Sequence, residues 1–140
     1  MSEKYRIGYT QGTFDMFHVG HLNLLRNAKL YCERLIVGVN SDSLVEQYKS
    51  KVPIVNEECR AEILKAIKYV DDVIIVDTLD KNFVRKSIYF DVVFIGDDWK
   101  GSPRWQVTEE NLLKEFSVKV IYLKHTEGIS SSILRRRILK

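Results

Sequence analysis

Residues 12 to 21 read GTFDMFHVGH and directly follow the apolar run from Ile7 to Tyr9. His18 and His21 are two of the three histidines of the chain, and they lie three positions apart across Gly20. If the second half of this segment is helical, residues three apart share a face, so both imidazoles are expected to point at one spot. That spot lies at a helix N-terminus, where unpaired N–H groups and the helix dipole favour an anion. The segment therefore predicts a phosphate-binding turn rather than a metal site, because no carboxylate or thiolate ligand set accompanies the histidines.

Short apolar runs alternate along the chain with stretches of helical periodicity. The predicted strands are Ile7–Tyr9, Leu35–Val39, Val73–Val76, Val92–Ile95 and Val118–Leu123. Helices are predicted over residues 22–30 and 59–70 and from Ile129 onward, with N-terminal caps at 41–43 and 56–58. Such alternation implies parallel strands joined by right-handed crossovers. We expect an α/β fold with a Rossmann-like, doubly wound, parallel five-stranded sheet, and residues 1–140 as one domain.

Composition narrows the classes of partner. The formal net charge of +3, with both signs interspersed, is far from the clustered basicity of a nucleic-acid binder and fits a small anionic ligand equally well. Cys32 and Cys59 are isolated thiols, which we expect to be reduced and buried. The N-terminus has no stretch of signal-peptide length, and no apolar run is long enough to span a membrane. A cytoplasmic protein without nucleic-acid or membrane partners is expected.

Each polar motif follows a predicted strand. Besides residues 12–21, these are Ser41-Asp42, Gly96-Asp97-Asp98-Trp99 and Thr126-Glu127-Gly128. In doubly wound sheets, ligands bind beyond the carboxyl ends of the strands, at the point where the strand order reverses. Gly12 suits a sharp turn close to a ligand, with the N–H groups of Thr13 and Phe14 presented there. The hydroxyls and N–H groups of 126–132 would form a second phosphate cradle at the start of the last helix.

Residues 12–21, 96–99 and 126–130 together resemble the motifs of the cytidylyltransferase branch of the nucleotidyltransferase superfamily. The resemblance spans nearly the whole chain and is closest to the short bacterial glycerol-3-phosphate cytidylyltransferases. It implies the nucleotidyltransferase fold and transfer of CMP from CTP to a small phosphorylated alcohol, most readily glycerol 3-phosphate, for cell-surface polymer (teichoic acid) or lipid synthesis. Mg²⁺ is expected to bridge the CTP phosphates without protein side-chain ligands. A homodimer is expected, because short enzymes of this family typically form one.

The resemblance also implies roles for individual residues. As catalytic residues it indicates His18, His21 and Lys49. For nucleotide binding it indicates Thr13, Phe14, His18, His21, Asp98, Thr126, Gly128, Ile129, Ser130 and Ser131. The candidates for phosphate or acceptor binding are Asp15, Lys51, Arg60, Lys68, Arg104 and His125.

Several of these assignments carry alternatives. A structural role for Asp15, orienting His18 or capping the turn, is as well supported as a substrate contact. Lys68 and His125 stand where the family usually has arginine, so Lys68 would act as a single point charge. Arg104 belongs to a segment, Lys100 to Trp105, that departs from the short enzymes and is expected to be a loop shaping the acceptor pocket.

The chemistry needs no general base, because a phosphate monoester has a second pKa near ~6 and is mostly a dianion at neutral pH. Alignment and charge stabilisation would carry the reaction. Phosphocholine and phosphoethanolamine remain open as acceptor types. Adenylyl transfer is a rival, since residues 129–135 also fit the I-S-S-x-x-x-R pattern of adenylyltransferases. A catalytically silent nucleotide- or RNA-binding module is a second rival.

Overall fold

Five parallel strands form one sheet in the order β3-β2-β1-β4-β5. The computed structural model describes residues 4–96 and 103–139. The elements are β1 (Tyr5–Gly12), α1 (Val19–Lys29), β2 (Cys32–Asn40), α2 (Asp42–Lys49), α3 (Glu57–Lys65), β3 (Asp72–Val76), α4 (Lys81–Ser87), β4 (Val92–Gly96), α5 (Pro103–Phe116), β5 (Lys119–Leu123) and α6 (Ser131–Ile138). The predicted α/β class and five-stranded parallel sheet are confirmed.

Helices cover both faces of this sheet, which is why the inner strands read as apolar runs. On one face, Leu25 of α1 and Leu64 of α3 pack into a cluster with Val37 of β2. On the other face, Val84 of α4 and Leu112 of α5 pack into a cluster with strand residues of the opposite orientation. Burying a leucine fully contributes about 1.5–3 kcal/mol, so these two clusters hold the layers together.

Two predicted segments differ from the structure. The helix predicted over residues 59–70 runs instead from Glu57 to Lys65, so Lys68 lies beyond its end. The predicted loop from Lys100 to Trp105 is in part the first turn of α5, which starts at Pro103, a residue suited to that position. Trp105 is 5% exposed and its indole N–H donates to Tyr122 Oη at 2.8 Å, so this side chain belongs to the core.

The cysteines also differ from expectation in part. Cys32 is buried, whereas Cys59 is exposed on α3.

In the part of the chain that the structure describes, no helix has both the length and the apolar character that a membrane span requires.

The strand order reverses at β1, which lies between β2 and β4. Since all five strands are parallel, their carboxyl ends meet at one edge, which we call the carboxyl edge. Residues 12–18, 40–41, 77–80 and 124–130 all leave strands there. This arrangement brings together most of the segments that the sequence singles out.

Candidate active site

His18 and His21 cap the first helix and lie face to face. His18 is the N-cap of α1, and its Nδ1 accepts a hydrogen bond from the Gly20 N–H at 3.0 Å. In return, His21 Nδ1 accepts from the His18 N–H at 3.2 Å. The ring centroids are 3.7 Å apart and the rings are stacked. The spacing of three does bring both imidazoles to one spot, but through this reciprocal capping, because His18 itself is extended rather than helical.

These hydrogen bonds fix the tautomer of both rings. A ring nitrogen that accepts a hydrogen bond carries no proton, so in each neutral imidazole the proton is on Nε2. Burial lowers the pKa of His18 below its usual value. Burial, and then the proximity of His18, lower the pKa of His21 to about 3, against a smaller opposing effect of Asp15. At neutral pH both histidines are therefore uncharged donors.

His18 Nε2 is buried and has no hydrogen-bond partner among the described residues. Leaving a buried N–H unpaired costs about 1–3 kcal/mol. An oxygen atom of a ligand placed at this nitrogen would remove that cost. The helix N-terminus beside it favours an oxygen that carries negative charge.

Gly20 leaves room for the His18 ring. A Cβ atom at this position would lie 2.8 Å from His18 Cε1 and 3.0 Å from His18 Nδ1. Ile129, on the segment that leads into α6, has its Cγ2 at 3.6 Å from the same point, an ordinary contact. The glycine of the H-x-G-H pattern is therefore required by the capping histidine.

The turn that precedes the histidines is strained and tightly packed. Phe14 and Met16 have positive φ angles of 55° and 49°. Left-handed backbone at a non-glycine residue costs of order 1–3 kcal/mol and persists only where the surroundings hold it. Phe14 is 5% exposed, and its ring meets that of His21 edge to face at 5.3 Å. This packing supports the turn and fixes the orientation of His21.

Asp15 joins this turn to the loop after α2. Its Oδ2 accepts from the Ile54 N–H at 2.8 Å, and its Oδ1 accepts from the Val55 N–H at 2.9 Å. The carboxylate is also 4.0 Å from Arg135 Nη2. Of the roles that the sequence left open, these contacts are those of a structural residue, although they hold a loop rather than His18.

Arg60 lies in the interior. It is 1% exposed, and Nη1 donates to the backbone oxygens of Thr13 and Asn40, each at 2.7 Å. Nε donates to Val55 O at 2.8 Å, and Nη2 pairs with Asp42 Oδ1 at 2.6 Å. A buried guanidinium with these four partners does not reach an open phosphate site. Arg60 joins the ends of β1 and β2 to the loop between α2 and α3, and its predicted phosphate contact has no support in this placement.

The lysines divide between the two edges of the sheet. Lys49 ends α2 and Lys51 follows Ser50, and both are exposed near the carboxyl edge. Lys68 precedes β3 and therefore lies at the opposite edge, where its Nζ is 5.3 Å from the centroid of the Tyr69 ring. Within one chain, the fold does not bring Lys68 to the histidines, and the predicted phosphate contact of Lys68 has no support in this placement.

The segment before α6 packs beside residues 12–18, which we call the histidine turn. Ser130 is the N-cap of α6, and its hydroxyl accepts from the Ile133 N–H at 3.1 Å. The Ser131 hydroxyl donates to Asp15 O at 2.5 Å. Thr126 Oγ1 accepts from Asn23 Nδ2 of α1 at 2.9 Å, and Gly128 has a φ of 81°. The two predicted phosphate-binding segments, residues 12–21 and 126–132, are therefore neighbours. The exposed His125 directly precedes the second of them.

Two predicted site residues cannot be placed in this way. Asp98 lies outside the described residues. Arg104 is in the first turn of α5, and its side chain lies outside the part that the structure describes.

Sequence reasoning missed a neutral polar cluster at the carboxyl edge. Asn40 is 4% exposed, and its Nδ2 donates to Thr13 Oγ1 at 3.3 Å and to Tyr48 Oη at 3.2 Å. Gln11 Nε2 donates to Asn40 Oδ1 at 2.9 Å. The available signal was a polar residue, Asn40, directly after the apolar run that ends at Val39.

The chain has the fold and the paired histidines that are expected of a nucleotidyltransferase. The cytidylyltransferase-like family model matches residues 9–137. The chain belongs to this family.

Relatives match most of the chain. The chain is 47% identical over 137 residues to the bifunctional protein HldE of Rhodopseudomonas palustris, covering 97% of this chain and 27% of the relative. It is 37% identical over 133 residues to the HldE of Nitrobacter winogradskyi, covering 94% of this chain and 27% of the relative. The chain thus spans about a quarter of the length of these relatives.

Two solved structures share the fold. A lipopolysaccharide core biosynthesis protein from Thermoplasma volcanium has a TM-score of 0.71 at 23% identity, covering 89% of this chain and 99% of that one. A pantoate-beta-alanine ligase from Francisella tularensis has a TM-score of 0.65 at 14% identity, covering 96% and 67%. At these identities the likeness extends to the fold alone.

Proposed function

We propose that this chain transfers a nucleotidyl group from CTP to the phosphate of a small phosphomonoester, with glycerol 3-phosphate as the first acceptor to test. The products would be a CDP-alcohol and pyrophosphate. The observation that carries this proposal is the stacked pair of His18 and His21 at the start of α1. Each ring has its proton on Nε2, and the Nε2 of His18 is buried without a partner in the described part of the chain.

In the proposed reaction, an oxygen of the monoester dianion attacks the α-phosphorus of the nucleotide. The bond from that phosphorus to the oxygen bridging the α- and β-phosphates breaks, and its electron pair leaves with pyrophosphate. The Nε2–H groups of His18 and His21 donate to the oxygens on which negative charge grows. Removing one such preorganised donor costs about 10²–10³ in rate.

The charge of the triphosphate must be balanced by other groups, because both histidines are neutral. Lys49 and Lys51 supply mobile positive charges near the carboxyl edge. The N-terminal ends of α1 and α6 supply oriented N–H groups. We therefore assign orientation to the histidines and charge balance to the lysines and helix ends.

Mg²⁺ fits this site through the substrate. In residues 4–96 and 103–139 there is no group of histidine, cysteine or acidic side chains that could hold a metal ion. Mg²⁺ prefers oxygen ligands and is commonly bound through substrate phosphates. When bound by the triphosphate, it would supply further charge balance.

Adenylyl transfer from ATP is the second candidate. Residues 129–135 fit the I-S-S-x-x-x-R pattern, and Arg135, its last residue, turns toward the histidine turn. Its Nη2 donates to Val52 O at 2.8 Å and lies 4.0 Å from Asp15 Oδ2. The position of Arg135, beside both predicted phosphate-binding segments, is the observation that favours adenylyl transfer.

Pyrophosphate release with each of the four nucleoside triphosphates separates the candidates. Glycerol 3-phosphate, phosphocholine and phosphoethanolamine should be tested as acceptors with each nucleotide, in the presence of Mg²⁺. Release that depends on CTP and an acceptor supports the proposal, and release that depends on ATP supports the alternative. No release with any pair would favour the silent binding module.

The proposal includes a cytoplasmic homodimer, which rests on the resemblance to short enzymes of the family. Light scattering coupled to size-exclusion chromatography measures the mass directly. A mass near 16.4 kDa would identify a monomer and remove this part of the proposal.

A further inference from the structure

Tyr48 lies in the last turn of α2, directly before Lys49. Its hydroxyl is 3.0 Å from Thr13 Oγ1 and accepts a hydrogen bond from Asn40 Nδ2 at 3.2 Å. Thr13 belongs to the turn that leads to the histidines, and Asn40 is the last residue of β2. One phenolic hydroxyl therefore joins the end of α2 to the ends of β1 and β2.

The partners of Tyr48 are themselves held in place. Asn40 Oδ1 accepts from Gln11 Nε2, and Asn40 O accepts from the buried Arg60. Gln11 Nε2 also donates to Thr78 O at 2.8 Å, and Gln11 Oε1 accepts from Tyr9 at 2.7 Å. Each amide group in this network has a fixed orientation, since reversing it would set two donors or two acceptors against each other. Tyr48 is thus anchored to a rigid part of the sheet edge.

Among residues 4–96 and 103–139, the Lys49 ammonium has no hydrogen-bond or ion-pair partner that would fix its position. Lys49 is exposed, and α2 ends at this residue, with Ser50 in a left-handed conformation at a φ of 55°. Its Nζ is 5.5 Å from the centroid of the Tyr48 ring. A long and flexible lysine side chain does not fix the position of its own charge. The backbone therefore determines the region that the charge can reach. The backbone of Lys49 is held next to the histidine turn through Tyr48.

We propose that Tyr48 is a positioning residue that keeps Lys49 beside the histidine turn. The inference rests on the proposed function, in which Lys49 binds the phosphates. It predicts that the hydroxyl of Tyr48 matters only as long as Lys49 carries its charge. A merely structural contribution of Tyr48 would be the same with or without that charge.

A double-mutant cycle of Tyr48→Phe and Lys49→Ala tests this coupling. With the wild-type lysine, we expect Tyr48→Phe to reduce kcat/KM by about 5- to 10-fold, the effect of losing one or two hydrogen bonds. In the Lys49→Ala background, the same change should cost less than about 2-fold. An equal loss in both backgrounds, or no loss in the wild-type background, would overturn the inference.

Two controls keep the result interpretable. Tyr31→Phe removes a hydroxyl from an exposed tyrosine at the other edge of the sheet, and it should leave the kinetics unchanged. Circular dichroism and thermal unfolding show whether each variant folds.

The affinity for CTP, measured by calorimetry across the same cycle, separates this inference from the proposed function. If the wild-type chain does not turn over with any acceptor, the proposed function fails. Coupling of Tyr48 to Lys49 in CTP affinity would then still support the positioning role, and additive losses or no binding would refute it.

Discussion

Replacing Gly20 by alanine should disable the site while leaving the fold almost equally stable. The added Cβ would lie 2.8 Å from His18 Cε1, closer than such atoms approach, and 3.0 Å from His18 Nδ1, which is already a tight contact. Gly20 has no positive φ angle, so alanine is compatible with its backbone. The strain must be relieved by rotation of the His18 ring. That rotation breaks the hydrogen bond from the Gly20 N–H and separates the stacked rings.

Gly20→Ala has two opposing effects on the free energy of unfolding. Losing an N-cap hydrogen bond costs about 0.5–2 kcal/mol. Replacing glycine by alanine in a helix returns about 0.5–1 kcal/mol. The net change in unfolding free energy should lie between a gain of about 0.5 kcal/mol and a loss of about 1.5 kcal/mol. The rate, however, depends on the position of the His18 Nε2–H, so kcat should fall by about 10²–10³, as for loss of a preorganised donor.

Pyrophosphate release and urea unfolding should be measured for Gly20→Ala, His18→Ala and the double variant. Once the His18 ring is absent, the new Cβ has only an ordinary contact, at 3.6 Å from Ile129 Cγ2. In the His18→Ala background, Gly20→Ala should therefore stabilise the chain by about 0.5–1 kcal/mol and change the residual rate little. Full activity of the single variant would refute the reasoning. So would a further large rate loss in the double variant, because the effect would not then act through His18.

The remaining predictions concern the buried charge, the low-pKa histidine and the core of α5. Arg60→Met should lower the unfolding free energy in urea by about 3–5 kcal/mol, since it leaves Asp42 and three backbone oxygens without their partner. Because the pKa of His21 is about 3 in the folded chain against 6.5 in model compounds, the unfolded chain binds a proton more readily, and stability falls as the pH drops from 6.5 towards 3. His21→Gln should reduce the slope of the unfolding free energy against pH in this range by up to about 1.4 kcal/mol per pH unit, measured by urea unfolding at several pH values. An unchanged slope would contradict the assigned pKa. Trp105→Phe should lower the melting temperature, through loss of about 1 kcal/mol, and leave kcat unchanged; a fall in kcat would return Trp105 to the acceptor site.

The sheet was predictable because its signals are local. The run from Leu35 to Val39 predicted β2, and the structure extends that strand to Cys32–Asn40. The extension carries Glu33 and Arg34, whose exposed side chains hide the strand from a search for apolar runs. Backbone pairing with β1, from Tyr5 opposite Cys32 onward, continues the strand past the apolar part. Pairing of this kind depends on a distant segment and leaves no mark in the local sequence.

The candidate site was less predictable, because several of its residues depend on tertiary contacts. The phosphate-binding role of Arg60 was implied by the family resemblance, and nothing in the local sequence indicates that this arginine is buried, since arginine is almost never fully buried unless it is paired. The partners that make its burial possible come from the turn after β1, the end of β2, the start of α2 and the loop after α2. For the histidines, a spacing of three predicted proximity but not stacking, since the N-cap conformation of His18 depends on its own side chain. The network around Asn40 likewise involves four separate segments.

The contrast between the histidines and the lysines suggests how such a site can act on a highly charged substrate. His18 and His21 are fixed by reciprocal hydrogen bonds and lack charge, so they can aim donors accurately but cannot offset the charge of a triphosphate. Lys49 and Lys51 are charged and exposed, so they can offset that charge, but their flexible side chains do not fix the direction of a hydrogen bond. Exposed charges are screened by salt, whereas the buried donors are screened far less. Raising the ionic strength should therefore weaken nucleotide binding while kcat at saturation stays nearly constant. If kcat fell in parallel with affinity, the two functions would not be divided in this way.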